Sequence, residues 1–491
     1  MSVTEETDVV IVGAGFSGLA MGAKLKRAGR EDFTIIERAS DVGGVWRDNT
    51  YPGAACDVPS HVYSLSFAQN PRWTRTYSHQ PEIHAYLRRV ARDEDLLRHI
   101  RFDTELIDAR WDADHWDVET SRGTIRARAL VTAAGPLVEP KLPDVPGLVD
   151  FAGDVFHSAR WDHDVDLTGK RVAVVGTGAS AIQFIPEIAE QVAHMTVFQR
   201  TAPWVLPRTE RPITRVEREL FKRAPAAQDA VRKGVFWLRE LGSGTPLIHP
   251  RKPSALAALG KAHLRRQVAD PALRAKLTPA YEPGCKRLLL SNTYYPALAR
   301  PHVDVHATGL TEVRGNTVVG ADGSEAEVDV IIFGTGFEVT RPPVARHIRG
   351  RAGITLDQHW GGSMTAHRGT TVHGFPNLFF LLGPNTGTGH MSVVYMAEVQ
   401  ADYVVDAIAE LDCRGDAALE PSRAAQDAWT ADVQRRSQGT VWMRGGCASW
   451  YLDAEGRNTT LWPDYVHRYA SELSRFDVKE HIFTPALVPV A

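Results

Sequence analysis

Apolar runs and turn residues alternate in a strand–helix–strand order at the start of the chain. The run Asp8-Val-Val-Ile-Val12 reads as a parallel strand buried on both faces. Leu19 to Arg27 continues with apolar residues at helical spacing, and Phe33-Thr-Ile-Ile36 forms a second strand after a turn at Gly29. Pro81 to Val90 has a helical pattern, Ile100 to Val118 alternates as strands do, and Ala127 to Gly135 is a buried strand ending in small residues. Pro136, Pro140, Pro143 and Pro146 then mark a linker, and the stretch Phe151 to Asp162 that follows is neither strand-like nor helix-like. Beyond it the opening pattern recurs: a strand at Arg171 to Val175, a helix at Ile182 to Val192 and a strand at Met195 to Phe198. Trp204 to Ala280 is charged, rich in alanine and leucine, and reads as a helical insertion shaping a substrate entrance. Strands at Val328 to Phe333 and Asn377 to Leu382 and a helix from Met391 onward complete the pattern.

A strand–helix–strand unit that occurs twice predicts an α/β chain with two Rossmann-like dinucleotide-binding domains. The expected division is residues 1–140, a linker 141–168, a second domain 169–333 containing the insertion 204–280, and a return to the first domain over 334–491. With 491 residues, the chain is too long for one ordinary core. A net charge of −3 argues against a nucleic-acid footprint. The longest apolar run, Val9 to Ala23, is broken by glycines, so no membrane span is expected. Acidic residues stand at the N-terminus where a signal peptide has basic ones. Cys56, Cys285, Cys413 and Cys447 form no Cys-x-x-Cys pair and show no metal spacing. That sets aside the dithiol flavin reductases, predicts no metal, and fits the reducing cytoplasm.

Gly13-Ala-Gly15-Phe-Ser-Gly18 sits between strand and helix, with Glu37 about twenty residues on, which completes a dinucleotide fingerprint. Glu37 can accept hydrogen bonds from ribose hydroxyls and would repel a 2′-phosphate, so this site suits FAD or NAD. The second fingerprint, Gly176-Thr-Gly178-Ala-Ser-Ala181, is followed by Gln199-Arg200-Thr201 where the first has its acid. A cation beside a hydroxyl donor suits a 2′-phosphate, hence NADP(H). Two sites of opposite charge preference call for hydride transfer from NADPH to FAD.

Between the fingerprints, Phe151-x-Gly153, His157 and Trp161-Asp162 resemble the signature of type I Baeyer–Villiger monooxygenases, FAD- and NADPH-dependent enzymes. Gly43-Gly-Val-Trp46 with Tyr51-Pro-Gly53-Ala-Ala-Cys-Asp57, Lys286-Arg287, Gly334-Thr-Gly336-Phe337 and Cys447-Ala-Ser-Trp450-Tyr451 extend the resemblance over nearly the whole chain. It implies that Asp57 faces the reaction centre, that Lys286 meets the 2′-phosphate and that Arg287 lies at the flavin. Cofactor contacts are accordingly expected from Gly13, Gly15, Ser17, Gly18, Glu37, Arg38, Gly44, Val45, Trp46, Asp57, Tyr63 and Leu106. The same holds for Gly176, Thr177, Gly178, Ala179, Ser180, Gln183, Arg200, Thr201, Lys286, Arg287 and Trp450. Taken alone, Asp57 reads as a cap of the next element, and the alternatives are a surface arginine for Arg200 and a core residue for Trp450.

The resemblance implies a C4a-peroxyflavin that attacks a ketone to give an ester or lactone. A peroxide anion needs a permanent cation, and Arg287 is the candidate, with Asp57 orienting it and balancing its charge. Retained NADP+ and a closing domain would exclude water. His157 is expected to tie the linker to a neighbouring domain rather than to act as an acid or base. The expected partners are a small ketone and O2, with no nucleic acid, membrane or obligatory protein partner. An enzyme oxygenating sulfur or nitrogen, with less need of Arg287, is the alternative. A flavin reductase serving a partner protein, or a nucleotide-binding module without catalysis, fits the residues less well.

Overall fold

The computed structural model describes residues 5–251 and 254–485. Glu5–Val12 is the central strand of an eight-stranded sheet, with Phe33–Ile36 parallel on one side and Gly123–Thr132 parallel on the other. The helix Phe16–Arg27 crosses between the first two strands, as the apolar spacing predicts. Leu106–Asp112 and His115–Thr120 extend the sheet antiparallel, and Leu378–Phe380, from the last third of the chain, pairs with Gly123–Thr132. The first domain is therefore built from both ends of the sequence.

A second sheet has five strands, all parallel, in the order Val303–His306, His194–Phe198, Arg171–Val175, Val330–Phe333, Asp154–His157. Its last member corrects the reading of Phe151 to Asp162 as irregular. Asp154–His157 pairs in register with Val330–Phe333, and a short 3₁₀ turn follows at Ser158–Arg160. An edge strand with only Phe156 and His157 buried has too little alternation to be seen in sequence. Gly153 explains itself here, because a Cβ at that position would lie 2.1 Å from the Asp329 carbonyl oxygen.

The insertion is helical: Arg215–Arg223, Pro225–Trp237, a π-helix over Leu238–Gly244, Thr245–Ile248, Ala255–Gln267 and Pro271–Lys276. Its first long helix is set by a capping box, with Thr214 accepting from the Glu217 amide and Glu217 accepting from the Thr214 amide. Among the described residues no helix is long and apolar enough to cross a membrane.

The chain crosses between the two domains twice, and the crossings lie side by side. The Lys141 amide donates to the Gly336 carbonyl at 2.8 Å, and the Glu338 amide donates to the Glu139 carbonyl at 3.0 Å. The linker and the return segment thus form a short antiparallel ribbon. His157 packs edge-on against Phe337 of that ribbon with ring centroids 5.9 Å apart. After the long helix Val393–Arg414, the terminal arm is pinned by ions. Asp477 receives His367 at 2.7 Å and Arg368 at 2.8 Å, and the hydroxyl of Tyr403 also reaches it. His367, Asp477 and His481 have the donor atoms of a metal site, but the Arg368 guanidinium already supplies the cation.

Cys285 and Cys447 form a disulfide with Cα atoms 6.1 Å apart, which departs from the reading that the four cysteines fit a reducing cytoplasm. A separation of 162 residues hides the pair from any local motif. Cys56 is buried and free, and Cys413 is exposed and free.

Burial holds His157, His61 and His481 neutral, each pushed down to about 4. Once unfolded, an imidazole takes its proton near pH 6.5. Between pH 6.5 and pH 4 the unfolded chain therefore binds more protons than the folded one. The stability these groups contribute is complete above pH 6.5 and is lost as pH falls toward 4. Thermal unfolding should show a lower Tm at pH 5 than at pH 7, and a level or rising Tm on acidification would contradict this account.

Candidate active site

The two fingerprints fold as their glycines require. Gly13 has φ +104°, and a Cβ at Gly18 would lie 1.8 Å from the Gly13 carbonyl oxygen, so the turn closes tightly against its helix. In the second fingerprint Ala181 replaces the last glycine and packs toward Gly334, which has no side chain to obstruct it. The helices Phe16–Arg27 and Ala181–Ile188 each begin without a side-chain cap and without an acid in the first turn. Their first N–H groups are left for an anionic ligand, which fits pyrophosphate groups at both sites.

The flavin-side loop is held by aromatic contacts. Trp46 donates from Nε1 to the Tyr63 hydroxyl at 2.9 Å, and Tyr63 packs edge-on against Phe16 at 5.1 Å. Gly44, with φ +52°, and Val45 begin the one-turn helix that carries Trp46, and the Gly44 Cα approaches Gly15. Ser17 is buried in the first turn of its helix.

Three expected cofactor residues are engaged with protein in this structure. Glu37 accepts from the Ala14 and Ala39 amides at 2.9 and 3.0 Å and pairs with Arg47 at 2.9 Å. Arg38 pairs with Glu139 at 2.7 Å. Beside them lies a cleft of about 360 Å³ lined by Arg38, Ala39, Arg47, Asp48, Glu105 and Arg160, next to Leu106 at the start of its strand. Gln183 is committed to an interdomain clamp. Its amide donates to the Ala55 carbonyl at 2.9 Å, and its oxygen accepts from the Tyr51 hydroxyl at 2.9 Å and the Ala55 amide at 3.2 Å. It binds the Tyr51–Asp57 loop to the second domain.

Around the second fingerprint, Thr177 is buried, Gly178 and Ala179 lie in the turn, and Ser180 occupies the N-cap position without a capping side-chain bond. Arg200 is exposed at the end of its strand, followed by half-buried Thr201. Lys286 reaches the same place from another segment. Burial, and then the nearby Arg200 charge, press its ammonium below the ordinary lysine range. Neither cation has an ion-pair partner among the described residues. Two cations in each other's field without a carboxylate suit a dianion, the 2′-phosphate of NADP(H).

Asp57 comes from the flavin-side loop and Arg287 from the second domain. They form a two-pronged pair, Nε to Oδ2 at 2.6 Å and a terminal nitrogen to Oδ1 at 2.6 Å. Asp57 strongly raises the guanidinium pKa against the opposing effect of burial. Burial works against the Asp57 charge, but Arg287 holds its carboxyl below the ordinary range. Asp57 is thus no helix cap. Tyr451 is buried within the field of this pair, and burial pushes its phenol up to about 12.

Residues 10–224 match the family described as pyridine nucleotide-disulphide oxidoreductase. A Baeyer–Villiger monooxygenase of Streptomyces coelicolor is 51% identical over 489 residues, covering 99% of this chain and 94% of that protein. This chain belongs to the Baeyer–Villiger monooxygenase family. A Baeyer–Villiger monooxygenase of Pseudomonas aeruginosa is 45% identical, covering 97% of this chain and 91% of its own length. Cyclohexanone monooxygenase from Rhodococcus sp. Phi1, solved bound to NADP+, aligns with a TM-score of 0.87 at 30% identity, covering 99% of this chain and all of that one.

In this chain the residues of the signature stretch pack against the second sheet. Phe151 is buried in the core of the second sheet, and Trp161 packs on Phe156 at 5.1 Å and Phe184 at 5.3 Å. His157 Nδ1 accepts from the Ala159 amide at 3.0 Å. Trp450 is 45% exposed and so is not a core residue, and its ring lies 4.5 Å from that of Tyr451. The structure brings into the field of Arg287 both Tyr451, which the sequence marked only as part of a motif, and Arg239, which it did not single out. Only their placement in the fold marks them out.

Replacing both Arg200 and Lys286 with alanine should raise KM for NADPH at least tenfold and leave that for NADH little changed, as steady-state kinetics with both nucleotides would show. Thiol counting on the unfolded protein should find two free thiols before reduction and four after it. Cys447→Ser should lower Tm, because the disulfide closes a long loop worth up to about 5 kcal/mol in the chain-entropy view.

Proposed function

We propose that the chain catalyses NADPH- and O2-dependent oxidation of a ketone to an ester or lactone. One oxygen atom enters beside the carbonyl carbon, the other leaves as water, and NADPH supplies the two electrons. The observation that carries this reading is the Asp57–Arg287 pair, set between two dinucleotide sites of opposite charge preference. A simple flavin reductase has no need of a fixed cation at that junction.

FAD fits the first fingerprint and, when bound there, would supply the electron relay and oxygen activation. The protein's own part is positional and electrostatic. Arg287 stays charged at every working pH, so it offers N–H donors to an anion or a polarised carbonyl without giving up a proton. Asp57 fixes the plane of the guanidinium and limits the cost of burying it. Arg200 and Lys286 hold the nucleotide phosphate, with Lys286 one residue from Arg287, so nucleotide binding and the placing of Arg287 share one segment. The disulfide draws the Trp450–Tyr451 loop over that segment and helps to keep water out. Dependence on NADPH places the reaction inside the cell, and we infer the cytoplasm.

Arg287→Ala should retain FAD and continue to oxidise NADPH while oxygenated product falls about a hundredfold or more. Arg287→Lys should recover little, because an ammonium cannot make the two-pronged contact with Asp57. Oxygen uptake, hydrogen peroxide yield and product identification on a panel of ketones and sulfides would test this. Undiminished ester formation by the alanine variant would overturn it, and a panel yielding only sulfoxides would point to the heteroatom alternative.

A further inference from the structure

Three arginines lie in the neighbourhood of Cys56 and Asp57, and two of them are already neutralised. Arg287 pairs with Asp57 itself. Arg208 pairs with Glu210 at 2.8 Å, donates to the Cys56 carbonyl at 3.3 Å and lies over the Tyr77 ring. Arg239 is the third. It lies within the field of Tyr77, Asp57, Arg287 and Cys56, and burial presses its charge down. Its Nε donates to the His390 carbonyl at 3.1 Å. Among the described residues, neither terminal nitrogen has a hydrogen-bond partner and no carboxylate pairs with the guanidinium.

The nearest carboxylate in sequence is turned away. Arg239 and Glu240 are consecutive in the π-helix Leu238–Gly244, a rare geometry that recurs at functional sites. Glu240 is fully buried, bonded to His390 Nε2 at 2.9 Å and accepting from both the amide and Nδ1 of His467 at 2.9 Å. That carboxylate is satisfied without Arg239. The cluster fixes the π-turn, and with it the direction of the arginine that precedes it. His390 also supplies the carbonyl that orients the Arg239 guanidinium, so the two side chains share one anchor. Arg239 is half-buried rather than sealed, so its open terminal nitrogens remain accessible to a ligand. The forked donor pair left open on Arg239 matches a carboxylate.

We propose that Arg239 is an anion-receiving subsite of the substrate pocket, and that the preferred substrates are ketones carrying a carboxylate at the far end of the molecule. The inference rests on the ketone-oxidation reading above. The carboxylate docks on Arg239, and the ketone is thereby held toward Arg287. Chain length between the two groups then decides which keto acid fits. Arg239 acts as a specificity determinant and takes no part in the oxygen chemistry.

The test uses FAD-loaded enzyme with NADP+ bound and a graded series of methyl ketones ending in a carboxylate, each paired with its methyl ester. Dissociation constants come from the perturbed flavin absorbance, and kcat/KM from product formation. The wild type should bind the best keto acid at least tenfold more tightly than its ester. Arg239→Met should lose at least tenfold more kcat/KM on the acid than on the ester, and Arg239→Lys should restore part of the difference. Equal dissociation constants for acid and ester across the series, or equal losses on both in Arg239→Met, would overturn the proposal. Binding is read without turnover, so a keto acid that binds preferentially but yields no oxygenated product would count against the ketone-oxidation reading and leave the subsite standing.

Discussion

The structure depends on one ion pair that crosses a domain boundary. Asp57 belongs to a loop of the first domain and Arg287 to the second, and each is tolerable in its half-buried place only because of the other. Removing either partner leaves an uncompensated charge, which costs far more than the pair contributes. The same contact therefore serves assembly and chemistry. It joins the domains where they meet, and it holds a permanent cation at the seam between the two dinucleotide-binding domains. Gln183 does the corresponding work with neutral groups a short distance away, joining the Ala55 backbone to the helix of the second fingerprint.

The legible parts of the fold were those with a local cause. Buried parallel strands show as unbroken apolar runs, and a glycine that must turn tightly or lie under a carbonyl leaves a fixed spacing, so both fingerprints could be read directly. The difference between Glu37 and Arg200 at equivalent positions was equally visible, since charge at a ribose site is a matter of residue type. Asp154–His157 was missed because an edge strand half open to solvent has no periodic signature. The disulfide was missed because its two ends meet only after the C-terminal segment has folded back.

The site was less legible than the fold. Residue type nominated Asp57 and Arg287, but their two-pronged geometry emerges only from the assembled domains. Gln183 and Arg38, expected at the nucleotides, hold protein groups in this structure, contacts that proximity to a fingerprint could not have specified. Arg239 was invisible in a helix crowded with charge. What sets it apart is that no carboxylate among the described residues pairs with it, a property of three-dimensional neighbourhood that no sequence pattern encodes.

The paired crossings between domains carry a mechanical consequence. A single connecting strand would let the second domain both tilt and swivel about it. Two strands hydrogen-bonded side by side, Glu139–Lys141 against Gly336–Glu338, behave as a leaf hinge. Bending across the plane of the ribbon is easy, whereas rotation about its length must shear those bonds. Any motion of the second domain about that ribbon would be close to one-dimensional, and a one-dimensional path would bring Arg287 back to the same place beside Asp57.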